Sequence, residues 1–83
     1  MKVKVLFFGA TADSVGLREA AIDLPEGADA ALALSRIIDS FPGLSDRRDK
    51  KSLLFALNQQ YASGNEAIRE GDELAVFTAV SGG

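Results

Sequence analysis

Both ends of this chain are written with a period of two. Residues 2–8, KVKVLFF, put Val3, Val5 and Phe7 on one face and Lys2, Lys4, Leu6 and Phe8 on the other. Residues 73–78, ELAVFT, put Leu74 and Val76 on one face and Glu73, Ala75 and Phe77 on the other. Each segment is a half-buried strand whose backbone groups need neighbours to pair with. The alternation also carries an oddity. Lysine and glutamate belong in water, so the faces holding Lys2, Lys4 and Glu73 are the solvent faces. Phe8 and Phe77 are then expected to be exposed.

Between these strands, GATADSVG (9–16) reads as a loop bounded by glycines; without a G-K-[ST] ending it is not a phosphate-binding loop. Residues 18–24, REAAIDL, form a second strand, paired to the first as a hairpin. Leu24-Pro25-Glu26-Gly27 breaks the chain, and Asp29 can cap a helix with apolar positions at Ala30, Leu34, Ile37, Ile38 and Phe41, ended by Pro42-Gly43. The polar stretch LSDRRDKKS reads as a solvated loop. Its basic cluster of Arg47, Arg48, Lys50 and Lys51 is alternatively a contact for an acidic partner. Residues 53–57, LLFAL, are a third strand, which turns at Asn58-Gln59 into a short fourth strand near Gln60-Tyr61-Ala62. Ile68 plugs the core, and Gly71-Asp72 turns the chain into the final strand, Glu73 to Thr78.

One main helix against a mixed sheet of four or five strands is an α+β two-layer domain. The ββαβ(β)β order is that of the β-grasp, or ubiquitin-like, fold, in which the first and last strands lie parallel and adjacent at the sheet centre. Residues 1–83 are expected to form a single domain, with 79–83 as a flexible C-terminal tail.

Composition narrows the chemistry. Cysteine and histidine are both absent, which removes disulfides, thiol nucleophiles, Cys/His zinc sites and imidazole bases. No D-x-[DN]-x-[DN]-G loop is present for calcium. A net charge of −3 makes nucleic acid an unfavourable partner. No apolar run approaches the roughly 20 residues needed to span a bilayer, and the start lacks a signal peptide. The expectation is a cytoplasmic protein with no membrane partner, no metal and no cofactor bound by the chain alone. No residue constellation supports an enzyme acting unaided.

The end of the chain, VFTAVSGG, is the feature with chemical content. If the first and last strands are neighbours, Phe8 and Phe77 lie together on the solvent face, and Tyr61 extends the patch; the plain alternative is that a loop covers these rings. Beyond Glu73 no side chain is ionisable, so a partner's channel need not desolvate a charged side chain to admit the tail. Gly82 and Gly83 lack a Cβ and can thread a channel too narrow for other residues. They also leave the terminal carboxylate sterically open to attack on ATP.

VLFF near the start, LLFALNQ in the third strand and REGDELAVFTAVSGG at the end resemble the small subunits of molybdopterin synthases. The resemblance covers nearly the whole length and is specific mainly in these three blocks. It implies a β-grasp fold and a carboxyl-terminal glycine, Gly83, that an E1-like adenylating enzyme activates with ATP. It further implies that a sulfur donor enzyme converts that glycine to a thiocarboxylate. The tail residues Val80, Ser81 and Gly82 would then enter the molybdopterin synthase large subunit, with Phe8, Tyr61 and Phe77 on the docking surface. The sulfur would pass to precursor Z to form the molybdopterin dithiolene. Thr78-Ala79 stand where the family often has two prolines, and Ala12-Asp13 where it often has Arg-Glu. Other readings are a carrier for another pathway such as thiamine thiazole synthesis, a ubiquitin-like protein modifier, or a binding module whose glycines are accidental.

Overall fold

The computed structural model describes residues 1–45 and 53–78. Five strands form one mixed sheet in the order β2-β1-β5-β3-β4, with β1 at Lys2–Phe7, β2 at Glu19–Asp23, β3 at Leu53–Leu57, β4 at Gln60–Tyr61 and β5 at Glu73–Thr78. β1 and β5 run parallel, with Lys4 beside Glu73 and Phe7 beside Val76, while the other pairings are antiparallel. This is the β-grasp arrangement expected from the element order. The two segments of period two, from opposite ends of the sequence, are neighbours at the sheet centre.

The main helix, α2 (Ala30–Ser40), packs on one face of the sheet. Asp29 caps it, its carboxylate accepting from the Leu32 amide at 2.9 Å. The next orphan amides find carbonyls in the 63–68 loop: Ala30 donates to Glu66 at 2.8 Å and Ala31 to Gly64 at 3.0 Å. Glu66 organises that loop in turn. Its carboxylate accepts from the Ser63 amide at 2.9 Å and the Gly64 amide at 2.9 Å. Those two donors stabilise the charged form and lower its pKa from 4.5 to about 2. Ile68 follows, buried as expected.

The core lies between α2 and the sheet. Val3, Val5, Phe7, Leu74 and Val76 contribute from the two central strands, and Ala30, Ala33 and Ile37 from the helix. Leu34 and Ile38 are half-buried at the helix margin. Phe41, one residue past the helix, stands edge-on to Phe7 with ring centroids 5.0 Å apart.

Two local expectations are corrected. The 9–16 stretch is a short helix, α1 (Ala10–Val15), closed by Gly16 in the left-handed region. Six residues are too few to show a periodic apolar stripe, and its order comes from contacts distant in sequence. Pro42-Gly43 does end α2, but the chain continues in another turn of helix, α3 (Pro42–Ser45), with Pro42 at its first position. Leu44, grouped with the polar stretch, is fully buried. Gly43 permits this packing, because a Cβ there would land on the Ser14 carbonyl of α1. Among the described residues, no helix is long and apolar enough to cross a membrane.

Candidate functional site

The face of the sheet away from α2 is ordered in rows by strand register. Glu19, Leu6, Ala75, Ala56 and Tyr61 form one row across all five strands. On one side of it Lys4 stands beside Glu73. On the other side, one step past the Phe7–Val76 pair, Phe8 comes alongside Phe77, which faces Leu54 of β3. The Phe8 amide donates to the Val76 carbonyl at 3.1 Å and fixes this alignment. Polarity therefore changes along the strands. The face is charged where β5 begins and apolar where β5 ends.

Two alanines shape the apolar end. Ala75 and Ala56 are cross-strand partners with small side chains, and the rings of Phe8, Phe77 and Tyr61 rise around them. The result is an open groove of about 490 Å³, lined also by Leu6, with Gln59 and Glu73 as its neutral and acidic polar groups. Phe8 is 51% exposed and Tyr61 75%. Phe77, expected to be exposed, is half-buried. The Tyr61 ring leans on it at a centroid distance of 5.9 Å and takes the solvent contact in its place. No described loop covers the rings.

The hairpin that presents Tyr61 turns on Asn58 and Gln59, both at positive φ (50° and 73°), a two-residue turn suited to strand twist. Asn58 repays its conformation with bonds to the start of β5. Its amide donates to the Glu73 carbonyl at 2.8 Å, and its side-chain oxygen accepts from the Glu73 amide at 3.0 Å. The Lys4–Glu19 contact at 3.7 Å is solvent-exposed and adds little to stability.

The groove lies next to the exit of the chain. β5 ends at Thr78, and the five residues from there to Gly83 can reach at most about 17 Å when extended. Gly83, Gly82, Ser81 and Val80 themselves lie outside the described residues, as do Arg47, Arg48, Lys50 and Lys51. The structure thus brings together Phe8, Tyr61 and Phe77. Sequence reasoning missed two residues at this end: Leu17, 47% exposed just past α1, and Thr11, a fully buried polar residue beneath Phe8. A lone threonine between glycines carries no pattern that could have flagged the latter.

Comparison with known proteins agrees in length and fold. The profile of the ThiS family matches residues 5–83. The molybdopterin synthase sulfur carrier subunit of Chlamydomonas reinhardtii is 36% identical over 85 residues, spanning 100% of both chains. That of Caenorhabditis elegans is 35% identical over 85 residues, spanning 100% of this chain and 99% of the relative. The crystal structure of the small archaeal modifier protein SAMP1 from Haloferax volcanii superposes with a TM-score of 0.86 at 29% identity, over 100% of both chains.

Proposed function

The chain belongs to the ThiS family, and from that premise we propose that it is the sulfur-carrier subunit of a molybdopterin synthase. One observation carries the reading: β5 lines an open aromatic groove and ends at Thr78, five residues before Gly83 in the sequence. A docking face with a reactive end a few residues further along the sequence is what a delivered sulfur requires. The full-length relatives that bear this function support the assignment.

The chemistry belongs to the Gly83 carboxyl group. Docked on an E1-like adenylating enzyme, a carboxylate oxygen attacks the α-phosphorus of ATP and pyrophosphate leaves. The resulting acyl-adenylate has an electrophilic carbonyl carbon. Sulfur at the oxidation level of sulfide, supplied by a donor enzyme, attacks that carbon and AMP leaves. The thiocarboxylate formed is a better nucleophile than the carboxylate. Inside the synthase large subunit the sulfur passes to precursor Z, and water restores the carboxylate. A dithiolene holds two sulfur atoms, so two carrier loads are consumed for each. This chain supplies a slim tail without ionisable side chains and a surface on which a partner docks; the partners bind ATP and precursor Z.

Intact mass spectrometry tests this directly. After incubation with ATP, the cognate activating enzyme and a sulfur donor, the terminal carboxyl should gain one sulfur in exchange for one oxygen. An unchanged mass under conditions where the activating enzyme consumes ATP would refute the proposal. The likeness to a small archaeal modifier protein favours a second reading, in which the same carboxyl ends in an isopeptide bond to lysine. Protein conjugates carrying this chain in cells would support that role.

A further inference from the structure

Thr11 is the one buried polar side chain among the described residues, with no exposed surface. Its hydroxyl sits among three backbone groups. It accepts from the Phe8 amide at 3.0 Å, and its proton lies within reach of the Phe8 carbonyl at 2.7 Å and the Val76 carbonyl at 2.9 Å. The Phe8 amide also donates to Val76, and the Thr11 amide to Phe8 at 3.2 Å. One side chain therefore joins the end of β1, the start of α1 and the last part of β5.

That junction lies at a particular place. The pairing of β5 with β1 stops at Val76, and the backbone of Phe77 and Thr78 pairs onward with β3 only. Thr11 fastens the carbonyl just before this half-supported end. It also fixes the backbone of Phe8, whose ring borders the groove. A hydroxyl this deeply buried, with its bonds made to backbone, is not required for packing, since valine would fill the same volume.

We infer that Thr11 is a positioning residue for sulfur delivery: its hydroxyl sets the direction in which β5 leaves the sheet relative to the docking ring of Phe8. The inference rests on the proposed sulfur-carrier role. A fixed root raises the fraction of docked complexes in which the end of the chain is in reach of a partner's pocket, and that is an effect on turnover more than on docking.

The test compares wild type, Thr11→Val and Thr11→Ser in the complete system of carrier, activating enzyme, sulfur donor, large subunit and precursor Z. The valine variant keeps the shape and loses the hydroxyl; serine keeps the hydroxyl. Well below the unfolding temperature, Thr11→Val should lower kcat for sulfur transfer by about tenfold, leave KM for the carrier within about twofold, and be restored by serine. Its Phe8 amide should exchange with solvent about tenfold faster. An unchanged kcat, a change confined to KM, or failure of serine to restore turnover would overturn the inference. If the valine variant does not fold, Thr11→Ala is judged by the same thresholds. Wild type separates the two claims: absence of thiocarboxylate there defeats the carrier reading itself, whereas normal wild-type transfer with a normal valine variant defeats only the role of Thr11.

Discussion

The two faces of the central strand pair are built from alternate residues of the same two segments, yet they end in opposite conditions. Val3, Val5, Phe7, Leu74 and Val76 point toward α2 and are buried to within a few per cent of completely. Leu6, Phe8, Ala75 and Phe77 point the other way and line an open groove. Both sets are apolar, so hydrophobicity does not separate them. What separates them is what lies opposite: a capped helix on one side, and on the other a short hairpin that brings up Tyr61 and stops. An apolar face left uncovered in a domain this small works against stability and solubility unless a partner covers it.

The largest effect should come from the closed face. Leu74→Ala removes a fully buried side chain at the sheet centre and should cost about 2–5 kcal/mol of unfolding free energy, measured by denaturant titration. A loss of this size, in a domain whose total stability is about 5–15 kcal/mol, leaves it marginal. If the loss were below 1 kcal/mol, the core would not lie where the register puts it.

The open face should respond differently. Phe77→Ala and Tyr61→Ala should weaken binding of the large subunit by about 2 kcal/mol or more, as truncated interface aromatics commonly do. Phe8→Ala belongs in the same series. Calorimetry on each variant, set beside its unfolding curve, checks the contrast. Unchanged affinity together with a core-sized loss of stability would erase the distinction between the two faces.

A smaller effect should appear at the loop that meets the N-terminus of α2. The Glu66 pKa is lowered in the folded state, from 4.5 to about 2, by the Ser63 and Gly64 amides. A depressed carboxylate pKa stabilises the fold at pH values above the unfolded value, and that contribution is lost as pH falls toward the folded one. Wild type should therefore exceed Glu66→Gln in stability at neutral pH, with the gap closing between about pH 4.5 and pH 2. A gap independent of pH would mean that the loop is held by something other than the charge. Docking to the open face, measured at neutral pH, should be nearly unaffected by the substitution.

The same contrast explains how far the sequence could be read. The closed face was legible because alternation in β1 and β5 sorts residues by the water preference of Lys2, Lys4 and Glu73. The Asp29 cap, the Asn58-Gln59 turn and the Ile68 plug were legible because each rests on chemistry within a few residues. The open face was read in outline, with Phe77 placed in solvent; the tilt of Tyr61 onto it depends on a contact between strands that sequence spacing does not encode. α1 escaped because its order depends on distant partners. Thr11 bonds to Val76, 65 residues away, and Gly43 lets α3 press on Ser14. Tertiary contacts made a helix where local propensity offered a loop.

The last prediction concerns the end of the chain, where the effect on the fold should be smallest. Gly82 and Gly83 have no side chain to bury, and no apolar side chain follows Val80 in the sequence. Deleting Gly82 and Gly83 should thus change the unfolding free energy by no more than about 0.5 kcal/mol, the range of substitutions away from packed features. The same deletion should abolish the exchange of oxygen for sulfur, because the reacting carboxyl would end on Ser81, whose side chain crowds an approach that glycine leaves open. Appending one residue after Gly83 should have the same two results, since it moves the carboxyl off the glycine without touching the fold. A stability loss beyond about 1 kcal/mol would show the terminus to be a packed element. Sulfur transfer that persists in the extended protein would mean that a different atom reacts, and the link between the open groove and the Gly-Gly end would fail with it.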